Sequence, residues 1–487
     1  MKSILIVSAF VATCFSGVAQ YSGKAAEIDK LMTSASANGF FNGAIMVADK
    51  GKVIYNKGFG MADLKTSDPV TENSIFNLCS IGKQFTAMGI MMLKEQGKLN
   101  YDDSLSRYFP ELPYKGITLR HLLHHTSGLP DYFELIILQW HESRIATNKD
   151  AIALLAKHQP AIKFLPGEKH EYCNTGYMLL ASIIEKVSKQ TYEQFMKTSI
   201  FSKVGMNKTY LYLANISKVK PLHYAVPYAY DFGSGKFVPD EFEPYKLQVT
   251  KLDGTYGDGG LYSCTSDMIL WDNVLKTEKL VKKPTMQEAF TSGKLNNGQP
   301  ITPVGYGFGW FIVSDPVQGN YIQHTGGWPG FRQAFIRYLD KDRTLLILRN
   351  NEVTFAGIQK AIENILDGKP YDIPKTSLAY ELTSVATKGS AADIRRKFEE
   401  VKNTSIANES ELNLAGYSLL GFAKIEPALE LMKINTELFP QSFNAFDSLG
   451  EVYLKMGDKT LAKENYRKSL ELNPANENAK QVLEKLY

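Results

Sequence analysis

The feature that most constrains this chain is a period near its C-terminus. Gly416 recurs as Gly450, Ala428 as Ala462 and Pro440 as Pro474, each 34 positions later. The stretch reads as helical throughout, so three landmarks at one spacing define a repeated pair of helices. Small residues let the two helices approach closely, and proline ends the second. Each pair leaves an apolar face uncovered and must stack on a neighbour. Residues 378–404 can supply a degenerate preceding pair, and "NENAKQVLEKLY" a closing helix.

Upstream of this region the pattern is mixed. "GAIMVA" and "KVIYNKGFG" flank the turn "DKGK", a strand pair in which Gly51 can supply the positive φ. A helix begins after Ser80 and stops near Gly97, with Phe85, Met88, Met92 and Leu93 on a broad apolar face. A mostly helical middle follows, then strands again in "YGFGWFIV", "NYIQHTGG", "FRQAFIRYL" and "TLLILRNN", and a helix around 358–365. Strands at both ends with helices between them predict an α/β sheet domain carrying an inserted helical subdomain. An all-α solenoid then occupies 378–487, with repeats at about 409–442 and 443–476.

The N-terminus reads as a targeting segment. Lys2, the apolar run "ILIVSAFVATCF" and the small residues Ser16, Gly17, Val18 and Ala19 have the layout of a secretory signal peptide, residues 1–19, too short to span a bilayer. A lipoprotein signal ending at Cys14 is the rival reading, disfavoured because Thr13 is a poor residue ahead of a lipidated cysteine. The expectation is export to the periplasm or the extracellular space, with no transmembrane span. Cys79, Cys173 and Cys264 remain after cleavage; an odd number cannot all pair, and each is expected to be a small buried residue. The net charge of +4 is small, and no Lys/Arg run offers a nucleic-acid surface.

Chemistry enters at "FNLCSIGKQFTAMGIMML", residues 76–93, where Ser80 stands three residues ahead of Lys83. Ser-x-x-Lys is expected by chance about twice in such a chain, and it occurs again at Ser217 and Lys220. Context distinguishes the two. Tyr172-Cys173-Asn174 follows Pro166-Gly167 on a loop, and His324-Thr325-Gly326-Gly327 lies on a predicted strand. In this order the three motifs resemble the serine β-lactamase and penicillin-binding-protein superfamily, in its Tyr-x-Asn (class C-type) branch. The resemblance spans about 25–370 and takes in "LLHHTSGLPDY", "PGEKHEYCNTGY", "KVGMNKT", "GGLYSCTSDM" and "YGFGW". The tail is similar to a tetratricopeptide-repeat domain, with Phe446, Leu449, Gly450, Tyr453, Ala462, Tyr466 and Pro474 at packing positions.

A serine hydroxyl is a poor nucleophile without a neighbouring base. Positions i and i+3 share a helix face, so Lys83 can reach the Ser80 hydroxyl, and desolvation of a lysine disfavours its charged form. The resemblance implies that Tyr172 is the general acid/base and that Asn174 holds Lys83 and contacts the substrate amide. It places the oxyanion donors on the N–H groups of Ser80 and Gly327. Gly326 would let the substrate backbone come close, and His324, Thr325, Gly326 and Gly327 would line the substrate. Many β-lactamases begin this third motif with lysine, a cation that attracts a carboxylate; an unperturbed His324 is mostly neutral at pH 7.

The expected activity is therefore acyl transfer to Ser80 and hydrolysis, on the pattern of D-Ala-D-Ala carboxypeptidases and D-aminopeptidases, or of esterases. β-Lactamase activity is an alternative. So is a binding or scaffold protein with weak catalysis, acting through its repeats. The expected partners are a small peptide or ester and, through the repeats, a protein. No cofactor and no metal are expected, since His121, His124 and His125 match no zinc spacing. Asp258, Trp310, Trp328 and Arg332 border the expected cleft, and Arg332 is a candidate for binding a substrate carboxylate.

Overall fold

The computed structural model describes residues 23–37, 39, 41–213, 220–239, 246–352 and 357–486. The signal-peptide reading, Cys14 and Ser217 lie outside the described residues. Two compact units emerge. The first takes the chain up to Tyr228, Pro239–Glu352 and Ile365–Lys369; the second takes Ala229–Val238, Val353–Asn364 and Pro370 onward.

The first unit is built on a seven-stranded antiparallel sheet. Its strands are β1 (Gly43–Asp49), β2 (Lys52–Phe59), β3 (Gly305–Tyr306), β4 (Phe311–Asp315), β5 (Gly319–Trp328), β6 (Phe331–Tyr338) and β7 (Arg343–Arg349), in the order β3-β4-β5-β6-β7-β1-β2. The sheet thus joins the two ends of the unit: Gly43 of β1 faces Arg349 of β7, and the register runs on to Ala48 opposite Thr344. All of β1 is buried, as a strand covered on both faces should be. The edge strand β2 is largely solvent-facing, with only Tyr55 and Phe59 buried. Lys50 and Gly51, both at positive φ, make the tight turn between them.

The helix expected after Ser80 is α1 (Lys83–Glu95), and it differs from the expectation in two ways. Every residue from Lys83 to Leu93 is buried, so the helix has no solvent face; Phe85 stacks on Trp271 with ring centroids 4.1 Å apart. Helices inserted between the strands cover the side that an amphipathic surface helix would leave exposed. Ser80 also precedes the α-helix: it sits in a 3₁₀ turn, Cys79–Gly82, that feeds into it.

The second unit contains seven helices in succession: α3 (Leu378–Ala386), α4 (Ala391–Val401), α5 (Glu409–Gly421), α6 (Ile425–Leu438), α7 (Phe443–Lys455), α8 (Lys459–Leu472) and α9 (Glu477–Leu486), where α2 denotes Asn174–Ser188 of the first unit. The period has a direct packing cause. A Cβ on Gly416 would lie 2.5 Å from Met432 Cε, and one on Gly450 would lie 3.1 Å from the Tyr466 ring. Each glycine therefore receives the residue 16 positions on, at the crossing of its helix pair. Pro440 and Pro474 follow helices that end at Leu438 and Leu472.

The stack starts with the helix pair expected at 378–404, but nothing in the sequence anticipates what covers it. A hairpin of Tyr228–Asp231 and Lys236–Pro239 supplies Phe232 to the same buried cluster as Leu378 and Leu382. The Tyr230 ring lies 4.4 Å from that of Tyr380, and Lys424 Nζ donates to the Gly233 carbonyl at 3.1 Å. The apolar face that a first helix pair would expose is covered by this hairpin.

Candidate active site

The turn bearing Ser80 is strained and firmly held. Cys79 has φ +51°, a left-handed conformation that costs a non-glycine residue roughly 1–2 kcal/mol. Its N–H donates to Asn77 Oδ1 at 2.8 Å, and Gln333 Nε2 of β6 donates to the Asn77 carbonyl at 2.7 Å. The sheet thus braces the turn from behind. Such strain persists only where the surroundings over-determine it, and it concentrates at functional sites.

Lys83 is wholly buried, and three hydrogen-bond acceptors converge on it from three segments. Nζ donates to Ser80 Oγ at 3.0 Å, to Asn174 Oδ1 at 2.9 Å and to the Asp258 carbonyl at 2.7 Å. Three acceptors match the three protons of an ammonium group. The Tyr172 ring centroid lies 4.9 Å from the same Nζ. Tyr172 stands one residue ahead of Cys173, the N-cap of α2, of which Asn174 is the first residue. The structure thus brings together the four residues expected to be catalytic, Ser80, Lys83, Tyr172 and Asn174, although they come from positions up to 94 apart in the chain.

The third motif is divided by the pleat of β5. Thr325 and Gly327 are exposed, whereas His324 and Gly326 are buried. His324 does not face a substrate. Its ring is 1% exposed, with Nδ1 2.6 Å from the Thr325 carbonyl and Nε2 2.9 Å from the Tyr306 hydroxyl. Burial, reinforced by the Lys83 charge, pushes its pKa down to about 3, so the ring is neutral. A carbonyl accepts only from N–H, so the proton sits on Nδ1 and Nε2 accepts from Tyr306. Gly326 also departs from expectation. A Cβ there would lie 2.5 Å from the Leu78 carbonyl and 3.0 Å from Cys79 Cβ, so its smallness admits the serine turn rather than a substrate. Beyond Gln323, β5 pairs with β6 but no longer with β4, which frees one edge of the strand beside Ser80.

Second-layer contacts explain the other motif stretches. Gly309 of "YGFGW" packs on the backbone of α1, where a Cβ would lie 2.9 Å from Gln84 N. His125, at φ +56°, is buried with its ring 4.3 Å from that of Tyr172, and its Nδ1 accepts the Cys173 N–H at 3.2 Å. Burial holds its pKa well below the ordinary histidine value, so it supports Tyr172 as a neutral ring. Cys79, Cys173 and Cys264 are free and buried.

A cleft of about 100 Å³ opens at Ser80, lined by Asn77, Tyr132, Phe133, Asn174, Leu252, Thr255, Asp258, Gly327 and Trp328 among others. Tyr132 and Thr255 of this lining, and Asp131 behind Asn174, were not singled out from sequence as site residues. Tyr132 donates to Asp258 Oδ2 at 3.0 Å and shares a hydrogen bond with Thr255 Oγ1 at 2.7 Å; Asp131 Oδ2 accepts from Asn174 Nδ2 at 3.3 Å. Asp131 and Tyr132 end the "HTSGLPDY" stretch, so the signal lay in that motif, but their partners are more than 40 residues away. Trp310 is a core residue, 2% exposed. Arg332 is already engaged: Nη1 lies 3.0 Å from Glu352 Oε1 and donates to the Phe331 carbonyl at 2.8 Å. Among the described residues, no cluster of His, Cys, Asp and Glu has the makings of a metal site, and no helix is long and apolar enough to cross a membrane.

Comparison with known proteins places this geometry. A Beta-lactamase family model matches residues 26–368, and a Tetratricopeptide repeat model matches 444–476. The chain is 43% identical over 339 residues to penicillin-binding protein 4* of Bacillus subtilis, covering 69% of this chain and 74% of that protein. It is 25% identical to a D-aminopeptidase of Gluconobacter oxydans, over 68% of this chain and 59% of that one. Among solved structures, a penicillin-binding protein from Bacillus halodurans superposes with a TM-score of 0.60 at 25% identity, covering 69% of this chain and 98% of that one.

Proposed function

This chain belongs to the beta-lactamase family and is a serine hydrolase; on that premise we propose that it is exported and hydrolyses small peptides or esters through an acyl-enzyme on Ser80. The D-amino-acid peptidases, carboxypeptidase or aminopeptidase, are the first substrate class. The observation that carries the reading is the convergence of Ser80 Oγ, Asn174 Oδ1 and the Asp258 carbonyl on one buried lysine at the floor of a cleft.

In this mechanism Ser80 Oγ attacks the substrate carbonyl. Tyr172 as a phenolate, stabilised by Lys83, takes the hydroxyl proton; passing that proton to the leaving amine or alcohol regenerates the phenolate. The negative charge on the carbonyl oxygen is met by the N–H groups of Ser80 and Gly327, fixed before the reaction begins. A water molecule then attacks the ester, losing its proton to the same tyrosine, and Ser80 Oγ leaves with a proton restored. Thr325 and Gly327 line the substrate, and His324 positions the strand from behind.

The domains proposed are a catalytic domain of about 25–370 and a repeat domain of 378–487, whose repeats offer a surface for a protein partner. β-Lactamase activity ranks lower, because a neutral His324 supplies no cation for a carboxylate. The test is a time course of intact mass for the mature protein mixed with a penicillin, with Ser80→Ala as control. A Ser80-dependent adduct supports the acyl-enzyme, with a long-lived one favouring the peptidases and rapid drug loss the β-lactamase reading. Ser80→Ala should lower ester turnover by at least about 10³-fold. Unchanged turnover in that variant sinks the proposal.

A further inference from the structure

A second concavity in the first unit, a groove of about 710 Å³, shares no lining residue with the Ser80 cleft. Its volume is that of a small-molecule site. Two stacked tyrosines, Tyr192 and Tyr256, line it with ring centroids 5.3 Å apart, and Ile152, Leu211 and Leu213 add partly buried aliphatic surface. Its charged groups are unequally engaged. Glu185 Oε1 accepts from the Tyr192 N–H at 2.8 Å and from the Tyr256 hydroxyl at 3.0 Å, and Lys186 Nζ donates to the Tyr108 carbonyl. Among the described residues, Lys149, Lys189 and Glu193 of the lining are exposed and have no side-chain partner. The charge left over is therefore net positive beside apolar surface, the complement of an apolar ligand that carries one carboxylate.

The groove also shares a wall with the catalytic machinery. Thr255 and Asp258 line the cleft, and Tyr256 between them lines the groove. Gly257 is packed on α2, where a Cβ would lie 2.4 Å from Ala181 Cβ. Thr86 Oγ1 accepts from the Tyr192 hydroxyl at 2.6 Å and donates to the Gly257 carbonyl at 2.6 Å. The next carbonyl, of Asp258, holds Lys83 Nζ at 2.7 Å. Asn148 fixes the backbone of Tyr256, accepting its N–H at 2.9 Å and donating to its carbonyl at 3.0 Å. We propose that this groove is a second ligand site, taking an aliphatic carboxylate, and that its occupancy is felt at Lys83 through residues 256–258. Lys83 Nζ already meets as many acceptors as it has protons. A ligand that displaces Tyr256 therefore draws the Asp258 carbonyl out of that arrangement and slows the reaction. A free aliphatic acid and an apolar peptide end both supply this chemistry.

The experiment titrates octanoate, N-acetyl-dileucine and octylamine into the full chain by ligand-observed NMR, which needs no turnover. Octanoate should bind at least about fivefold more tightly than octylamine. Lys149→Gln combined with Lys189→Gln should weaken octanoate by about fivefold or more, and Glu193→Gln should tighten it by about twofold. Tighter binding of N-acetyl-dileucine than of octanoate names a peptide end as the source, and the reverse order a free acid. In p-nitrophenyl acetate hydrolysis, octanoate should lower kcat by at least about twofold and leave KM unchanged. Three results each overturn the inference: octylamine binding as tightly as octanoate, octanoate affinity unmoved by the two lysine substitutions, or inhibition that raises KM alone. Octanoate binding should persist in Ser80→Ala, whose loss of hydrolysis tests the acyl-enzyme reading separately. Groove binding can therefore fail while Ser80 dependence stands.

Discussion

The first unit and the repeat helices of the second bury different kinds of residue. The first keeps Lys83, His124, His125, His324 and Asp258 out of water, each tied into a specific set of contacts. Within 378–487, the buried polar residues among those described are Thr383, Asn435, Ser448 and Ser469, none of them charged. Burying an ionisable group is costly unless it is paired or neutralised, so a domain that does so repeatedly is organised around something besides stability. The repeat helices follow a simpler rule: small residue against large at each crossing, copied 34 positions on. Chemistry sits where the structure tolerates expensive contacts, and periodicity survives where it does not need them.

The strongest test of this contrast targets one unit at a time. Tyr466 is 1% exposed and fills the space against Gly450. Tyr466→Ala should cost the repeat unit about 3–5 kcal/mol, read as an early loss of helical circular dichroism on heating. Ester hydrolysis below that transition should stay within about twofold of wild type. A parallel loss of hydrolysis would show that the units do not separate in this way.

In the first unit, Gly326→Val places a branched carbon where the Leu78 carbonyl already stands. Overpacking of this kind costs about 1–3 kcal/mol. Because the displaced backbone carries Ser80, kcat/KM should fall by more than about tenfold even in the fraction that remains folded. A variant with lowered melting temperature and intact kcat/KM would show that the turn is not as constrained as its packing implies.

Acid should also divide the units. All eight histidines of the chain lie in the first unit. His324 is held at about 3 by burial, against about 6.5 when unfolded. The unfolded chain therefore binds the proton first. Stability is fully present above pH 6.5 and is lost as pH falls through that value toward 3. This one group should remove about 2 kcal/mol between pH 7 and 5; His124, pushed down to about 4 by burial, adds a similar part of the same sign. Melting of the first unit should track pH across this window, and His324→Gln should flatten the slope. An equal slope in the repeat helices would break the comparison.

The smallest effect belongs to a helix cap. Asp150 is brought down to about 2 by hydrogen bonding to Arg144, and its carboxylate accepts from the Thr147 N–H at 2.8 Å. A lowered carboxyl stabilises the fold above its unfolded pKa of about 3.9 and loses that contribution as pH falls through about 2. Since Arg144 is largely exposed, the contribution is below about 1 kcal/mol. Asp150→Asn should reduce stability at pH 7 by that amount and narrow the difference from wild type near pH 2.

Much of the site was legible because its motifs are local. Ser80 and Lys83 share one turn and its continuation, and Tyr172 and Asn174 share one loop. What stayed hidden involved contacts over long separations. Tyr132 meets Asp258 across 126 residues, and the hairpin around Phe232 joins a helical stack that begins about 145 residues later. Neither has a periodic or local signature, because a single side chain in a loop is free of the spacing rules that govern strands and helices.

By itself the sequence determined the order of strands and helices, the 34-residue helical repeat, and the residue types able to perform acyl transfer, since each is written in spacing along the chain. Only the tertiary structure decided that His324 is a buried neutral ring, that Gly326 makes room for the serine turn, and that Asp258 lines the cleft while Arg332 pairs with Glu352. The reason is physical: burial, charge pairing and close packing depend on which distant atoms share a volume, and that is settled only when the chain has closed on itself.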